Sequence, residues 1–449
     1  MIGQSVRLER ETARQPAKQL PAPKQHAFML VLTMAWTMGG VIFYLVGPRA
    51  APILLPMCMV APAAWLLADT GWLPWKPPSA VFIALILAAA YLLINGTWSL
   101  SPSVAYGEIG CLVGFTLALY ITLDSLAASE SSVLRAMAVG VLAGTALAGA
   151  FICLETFDKQ AVHRLLMSFN PSWAPSSPHM HAEAGVGVVL EPHLLNRSMT
   201  ALTLLFWPAV LILQRLDMAR RTKGLLLIAF ALAVAAIFKS EHTTSKIALV
   251  GAAATFALCL VVPRLAPGLV ITGWIASVLL VAPMASLAYH QQLYLASWLP
   301  KSAQMRLVIW GYTSGQIPKA PLLGVGVSTA RALREGDAQA PLAPGSEFQL
   351  TAGWHSHNVY LQAWYETGAI GALLLLGLGL LVLRSVKSAP ADAQPYLYAA
   401  FVACALIAGF SFSLWAPWFM ASFGLAAVFA MLGRELAARP VAAGDPTAT

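Results

Sequence analysis

Apolar residues in this chain come in blocks of about 20, separated by short polar stretches. That is the length a helix needs to cross roughly 30 Å of hydrocarbon. Hydrophobic residues make up 59% of the 449 and charged residues only 10%, against about 25% charged in a typical soluble domain. Too little polar surface is left to coat a soluble globule. Inside a bilayer the backbone must satisfy its own hydrogen bonds, and these Ala/Leu/Val/Gly-rich blocks show no period-two alternation, which argues for helices over a barrel. The fold class is therefore all-α, a polytopic integral membrane protein.

Twelve spans can be placed, at about 27–46, 51–68, 80–98, 108–124, 133–153, 197–214, 222–238, 245–262, 268–288, 358–383, 396–412 and 415–433. Residues 1–26 are then a basic tail, 27–433 one transmembrane domain, and 434–449 a second tail. The first apolar run, His26–Val46, is longer than a signal-peptide core and reads as an anchor that stays in place. The net charge of +8 is a topology signal rather than a nucleic-acid footprint, because the cations collect in alternate loops. Arg7, Arg10, Arg14, Lys18 and Lys24 in the first tail share a side with Lys76, Arg135, Arg215, Arg220, Arg221, Lys223, Arg264, Arg384, Lys387, Arg434 and Arg439. That side is the cytoplasm, with both termini on it.

Two long loops, about 155–196 and 289–357, fall on the opposite side, where they form a cap. Loops this long in a compact protein are usually functional. Eight of the nine histidines map to that outer side: His163, His179, His181, His193, His242, His290, His355 and His357. Trp72, Trp75, Trp98, Trp298, Trp354, Trp415 and Trp418 sit at span ends, as interface anchors do. The cysteines (58, 111, 153, 259 and 404) lie in or beside apolar runs and form no CxxC, so they read as packing thiols. His179 and His181 form an HxH with only Glu183 nearby, short of a metal-ligand set, and no metal or other cofactor is expected.

The strongest local pattern runs from His355 and His357-Asn358 through Glu366 to Gly368-x-x-Gly371, ending the second long loop and opening a span. It resembles the O-antigen ligase family, within the wider group of O-antigen ligases, O-antigen polymerases and protein O-oligosaccharyltransferases. Arg306 to Trp310, the following Pro321–Gly326 stretch and Asn196-Arg197 at the head of a span look like further shared landmarks. Ser245-Lys246 stands where many members have Ser-Arg, a departure from the pattern. The resemblance covers about residues 190–383. It implies a GT-C-type glycosyltransferase of a Gram-negative inner membrane, working on the periplasmic side. The donor would be an undecaprenyl-diphosphate-linked glycan and the acceptor lipid A–core oligosaccharide, with membrane lipids as the other partner.

Under that resemblance His357 is the general base, since a sugar hydroxyl is a poor nucleophile and a base contributes about 10²–10⁴ in rate. Arg197 and Arg306 hold the diphosphate, whose oxygens guanidinium forks match in charge and shape, and Lys246 adds a third cation. Attack opposite the departing diphosphate inverts the anomeric centre, and no Asp-x-Asp pair is present to hold a metal. His355, Asn358, Asn196 and Trp310 support the base or the acceptor, and Gly368 and Gly371 let a neighbouring helix approach closely. Each has a plainer reading: an interfacial histidine, snorkelling cations for Arg197 and Lys246, a solvated arginine at 306, packing glycines. Glu366 near a span's start is either functional or an interfacial carboxylate. Polymerase and protein O-oligosaccharyltransferase remain open within the same group. A transporter or flippase fits twelve spans less well, because the mid-span regions hold few ionisable residues and no internal repeat is visible.

Overall fold

The computed structural model describes residues 23–71, 76–169, 180–183, 187–333 and 340–439. Arg7, Arg10, Arg14, Lys18, Trp72, Trp75, His179 and the end of the second tail lie outside them, as do the side chains of Lys24, Cys58, His181 and Glu183.

Sixteen helices follow one another: α1 (Pro23–Val46), α2 (Ala51–Thr70), α3 (Ala80–Asn95), α4 (Pro102–Ala128), α5 (Ser131–Phe157), α6 (Ala161–Phe169), α7 (Asn196–Arg215) and α8 (Arg220–Lys239). Then come α9 (Thr243–Val261), α10 (Ala266–Leu279), α11 (Val281–His290), α12 (Lys301–Gln316), α13 (Thr329–Leu333), α14 (Val359–Lys387), α15 (Gln394–Phe410) and α16 (Pro417–Ala438). One antiparallel hairpin, β1 (Met180–Glu183) with β2 (Gly187–Leu190), interrupts the first long loop. The protein is an all-α polytopic membrane protein, and two of the twelve expected spans depart from a single long helix. Among the described residues ten helices are long and apolar enough to cross a membrane, α10 with α11 makes an eleventh if the bent pair is one span, and α15 is a shorter apolar helix.

Both departures have local causes. The expected span 268–288 is broken between α10 and α11, which meet at 62°. Pro283 lacks an N–H, and its ring crowds the carbonyl four residues earlier, that of Leu279, the last residue of α10. Helix α15 has 17 residues, a rise of about 25 Å at the short end of the range that crosses. Its early stop leaves Ser411–Ala416 as a loop at one end of the bundle. The last helix also runs past the expected boundary at 433, to Ala438.

Helix α7 lies at the centre, with 78% of its most apolar window buried, and packs against α15, α16, α5 and α8. Helices α1 and α5 touch at backbone distance: a Cβ on Gly140 would stand 2.5 Å from the Met34 carbonyl oxygen, and one on Gly144 2.8 Å from that of Met38. This small-x-x-x-small spacing is a standard device for helix contact in lipid, where dispersion must replace the hydrophobic effect.

Cross-contacts sort the helix ends into two sets. Arg215 pairs with Asp392 at 2.6 Å, Lys76 with Asp124 at 3.9 Å, and Arg439 donates to the Ser129 carbonyl, all at the cation-rich end. At the opposite end meet the close of α3, the starts of α7, α9, α14 and α16, the Ser411–Ala416 loop and helix α12.

Candidate functional site

Residues 354–358 reach α14 through a sharp turn. His357 has φ +53°, the left-handed region that a non-glycine residue rarely adopts. Three contacts hold it there. Trp310, one turn after Arg306 on α12, donates Nε1–H to the Ser356 carbonyl at 2.7 Å. The Ser356 hydroxyl donates to the Asn358 carbonyl at 2.7 Å. The Asn358 side-chain oxygen accepts the Leu361 N–H at 3.0 Å, capping α14. Asn358 is therefore a helix cap that fixes the residue before it.

The His357 Nδ1 lies 2.7 Å from the carbonyl oxygen of Ser411. A carbonyl only accepts, so Nδ1 carries the proton and the Nε2 lone pair is free. Burial pushes the His357 imidazole down to about 4, the Ser411 bond opposes this, and the Arg306 charge adds to it. The His355 ring sits 4.1 Å from that of His357. Burial, then His357 and Arg306, push His355 down to about 3, and its Nε2 is buried without a partner. Both rings are neutral at pH 7.

A third histidine joins from the turn before α9. His242 stacks on Phe412, ring centres 6.1 Å apart, with Nδ1 2.7 Å from the Ser245 hydroxyl. Burial and then Arg306 push it down to about 4. Phe412 in turn meets Trp418 edge-on at 4.7 Å, and the Arg197 guanidinium lies over the Trp418 ring at 5.7 Å. Arg306 acts electrostatically on all three histidines. Its own Nε is buried without a partner, as are Arg197 Nε and Asn196 Oδ1. These are strong donors and acceptors left open at one place.

So the structure brings His355, His357, Arg306 and Trp310 together directly, and ties Arg197 to them through Trp418 and Phe412. Lys246 is half-buried one turn into α9, with its N–H on the His242 carbonyl at 3.4 Å and no salt bridge among the described residues. The glycines do something other than admit a helix. Gly368 breaks α14 with φ +62° and ψ −165°, and what docks there is the Pro321–Gly326 stretch. Val325 and Gly326 donate to the Tyr365 and Glu366 carbonyls at 3.1 and 2.9 Å, while Ala369 and Ile370 donate to those of Pro321 and Leu322 at 2.9 and 3.3 Å. Gly371 makes room for the Thr367 side chain one turn earlier in the same helix.

Glu366 is fully buried, so the cheap interfacial position considered for it does not hold. Its carboxylate accepts from the Ala330 N–H at 3.0 Å, the Gln362 amide at 3.1 Å and the Trp415 indole. Trp415 is thus a buried donor, not an interface anchor, whereas Trp298 and Trp354 are well exposed. The Ser411–Trp418 segment, on which everything converges, was not singled out from sequence. Its signal was the Ser/Trp/Pro content of a short break between two apolar runs.

Fold and site together define a polytopic membrane protein that gathers neutral histidines and unpaired guanidiniums at one end of its bundle. Residues 224–376, about a third of the chain, match a family model described as O-antigen ligase. The match holds Lys246, Arg306, Trp310, His355, His357, Asn358, Gly368 and Gly371. It leaves out Asn196, Arg197 and the 411–418 segment, and is shorter than the stretch 190–383 expected from motifs. Curated relatives include a protein of Rickettsia felis named as a candidate polysaccharide ligase, 25% identical over 234 residues, 51% of this chain and 56% of that one. Another so named, from Rickettsia conorii, is 29% identical over 122 residues, 27% of this chain and 29% of the relative. The chain thus aligns with little more than half the length of these relatives, or less.

Proposed function

We propose that the protein is an O-antigen ligase: it transfers a polysaccharide from undecaprenyl diphosphate to a hydroxyl of the lipid A–core oligosaccharide. The observation that carries this reading is the His357 imidazole, locked by Ser411 with its Nε2 lone pair free and with the unpaired Arg306 acting on it. As the acceptor oxygen attacks the anomeric carbon, its proton passes to His357 Nε2. The anomeric carbon–oxygen bond breaks, and the undecaprenyl diphosphate departs with the electron pair. Arg306 and Arg197 meet the charge that develops on it, an effect of about 3–4 kcal/mol by analogy with oxyanion donors. Attack from the side opposite the diphosphate inverts the centre, and no step calls for a metal.

An apolar cavity of about 500 Å³ lies among α9, α10, α11, α12, α14 and α15, lined by Trp274, Leu280, Met284 and Phe410 and reaching Trp310 and Asn358. It suits the isoprene units nearest the diphosphate, so the lipid would enter from the bilayer with its head at the histidines. Lys246 adds positive charge at the same end. The charge distribution supports a cytoplasmic side for the cation-rich opposite end, so the site would face the periplasm from an inner membrane.

The test is complementation of a strain that makes lipid-linked polymer but lacks its ligase, with a matched core acceptor. Wild type restores the long-chain lipopolysaccharide ladder, and His357→Ala, present in the membrane at equal level, loses it by about 10²-fold or more. Failure of the wild type with a matched acceptor refutes the ligase reading and favours a polymerase or a protein O-oligosaccharyltransferase. A fully active His357→Ala refutes the base assignment.

A further inference from the structure

The first turn between helices carries a cation that no motif marks. Pro48–Ala50 is a single 3-10 turn joining α1 to α2, and it packs against both α7 and α16. It presents Arg49, exposed, toward Arg197 at the head of α7, where the two guanidiniums repel each other. Neither forms an ion pair among the described residues. Arg197 is held over Trp418 with its Nε buried and unpartnered, and the Asn196 side-chain oxygen beside it is in the same state. Two like charges held close in a partly buried setting are unfavourable unless an anion sits between them.

The geometry points to Arg49 as a phosphate-binding residue that, with Arg197, closes the site on the side away from Arg306. This rests on the ligase reading for the identity of the phosphate. A single phosphate bridges two guanidinium forks better than one, because each fork offers paired N–H donors to two of its oxygens. The phosphate is either the donor's diphosphate or a phosphate ester on the acceptor glycolipid.

The experiment uses the full chain in detergent or nanodiscs and measures binding of undecaprenyl diphosphate, inorganic pyrophosphate and vesicles carrying lipid A–core. Arg49→Ala weakens binding of the phosphate probe on the order of tenfold, as for loss of one charge-assisted contact. Arg49→Lys retains most of it. Arg49→Glu is the decisive variant: it pairs with Arg197 in place of the phosphate, so it melts no lower than wild type yet loses pyrophosphate binding by more than Arg49→Ala. A loss confined to undecaprenyl diphosphate and pyrophosphate assigns the donor; a loss confined to lipid A–core vesicles assigns the acceptor. Arg49→Glu that binds every probe as wild type does overturns the inference and leaves the ligase reading standing. Arg49-dependent phosphate binding in a wild type that transfers no glycan supports the inference and removes the ligase reading. A wild type that binds no phosphate probe overturns both.

Discussion

Replacing Gly368 by Ala tests how the site is braced. Gly368 has φ +62° and ψ −165°, a region that is essentially glycine-only and strains other residues by about 1–3 kcal/mol. A Cβ there would also stand 2.4 Å from the carbonyl carbon and oxygen of Leu322 and 2.6 Å from the Gly324 nitrogen. Those are backbone atoms tied by four hydrogen bonds to residues 365–370, so they cannot swing aside as a side chain could. Overpacking of this kind costs about 1–3 kcal/mol more, and the sum is about 2–6 kcal/mol. The same helix supplies a control: a Cβ on Gly377 meets nothing within 4 Å, so Gly377→Ala is neutral or gains up to about 1 kcal/mol from helix propensity. The assay is thermal denaturation of both purified variants in one detergent, followed by glycan transfer in membranes. Gly368→Ala melts lower and transfers poorly, while Gly377→Ala does neither. A Gly368→Ala protein that melts with wild type would mean that the 321–326 stretch is not clamped onto α14, and the bracing argument would be wrong.

Gln362→Leu removes the bridge from α14 to the loop that anchors the base, since its amide contacts Glu366 and Ser413 at 3.1 Å and its oxygen accepts the Leu414 N–H at 2.9 Å. Freed of that bridge, the Ser411 carbonyl shifts and kcat falls by about 10²-fold with donor affinity nearly unchanged; an unchanged kcat refutes the positioning role. Acid should destabilise the protein in a defined window. His242, His355 and His357 are held neutral, with folded values near 4, 3 and 4 against an unfolded value of about 6.5, so between these limits the unfolded chain binds more protons. Stability is then full above pH 6.5 and falls on acidification by about 1.4 kcal/mol per pH unit per histidine. Melting curves from pH 7.5 to 5 check this, and a flat series refutes it.

The apolar blocks were legible because bilayer thickness sets a length that hydropathy reports directly. Hydropathy is blind to the break at Leu280, since Pro283 counts as one more residue of an apolar run. The stop of α15 at Phe410, by contrast, falls within two residues of the expected span end at 412. The His355–Gly371 pattern was legible for a different reason: its members lie within 17 residues on one turn and one helix, so their spacing survives in the chain. Arg306 and Trp310 share a single helical turn and gain from the same locality. What was lost is everything that reaches the histidines from afar through atoms without a side-chain signature. The Ser411 carbonyl, 54 residues from His357, is plain backbone, and any residue type at 411 could offer it. Phe412 reads as an ordinary apolar residue at a span end and Trp418 as an interface anchor, yet they are the stacking path from His242 to Arg197. Two residues of the pattern also have a local structural role: Asn358 caps a helix, and Gly371 clears a side chain of its own helix. Arg49 is a loop cation that no motif marks, near Arg197 at the head of the central helix. Where positive charge is sparse on one side of a membrane protein, each cation that remains there without an acid partner needs an anion to explain it. That criterion, applied to Arg49, Arg197 and Arg306 alike, outlines the proposed phosphate site.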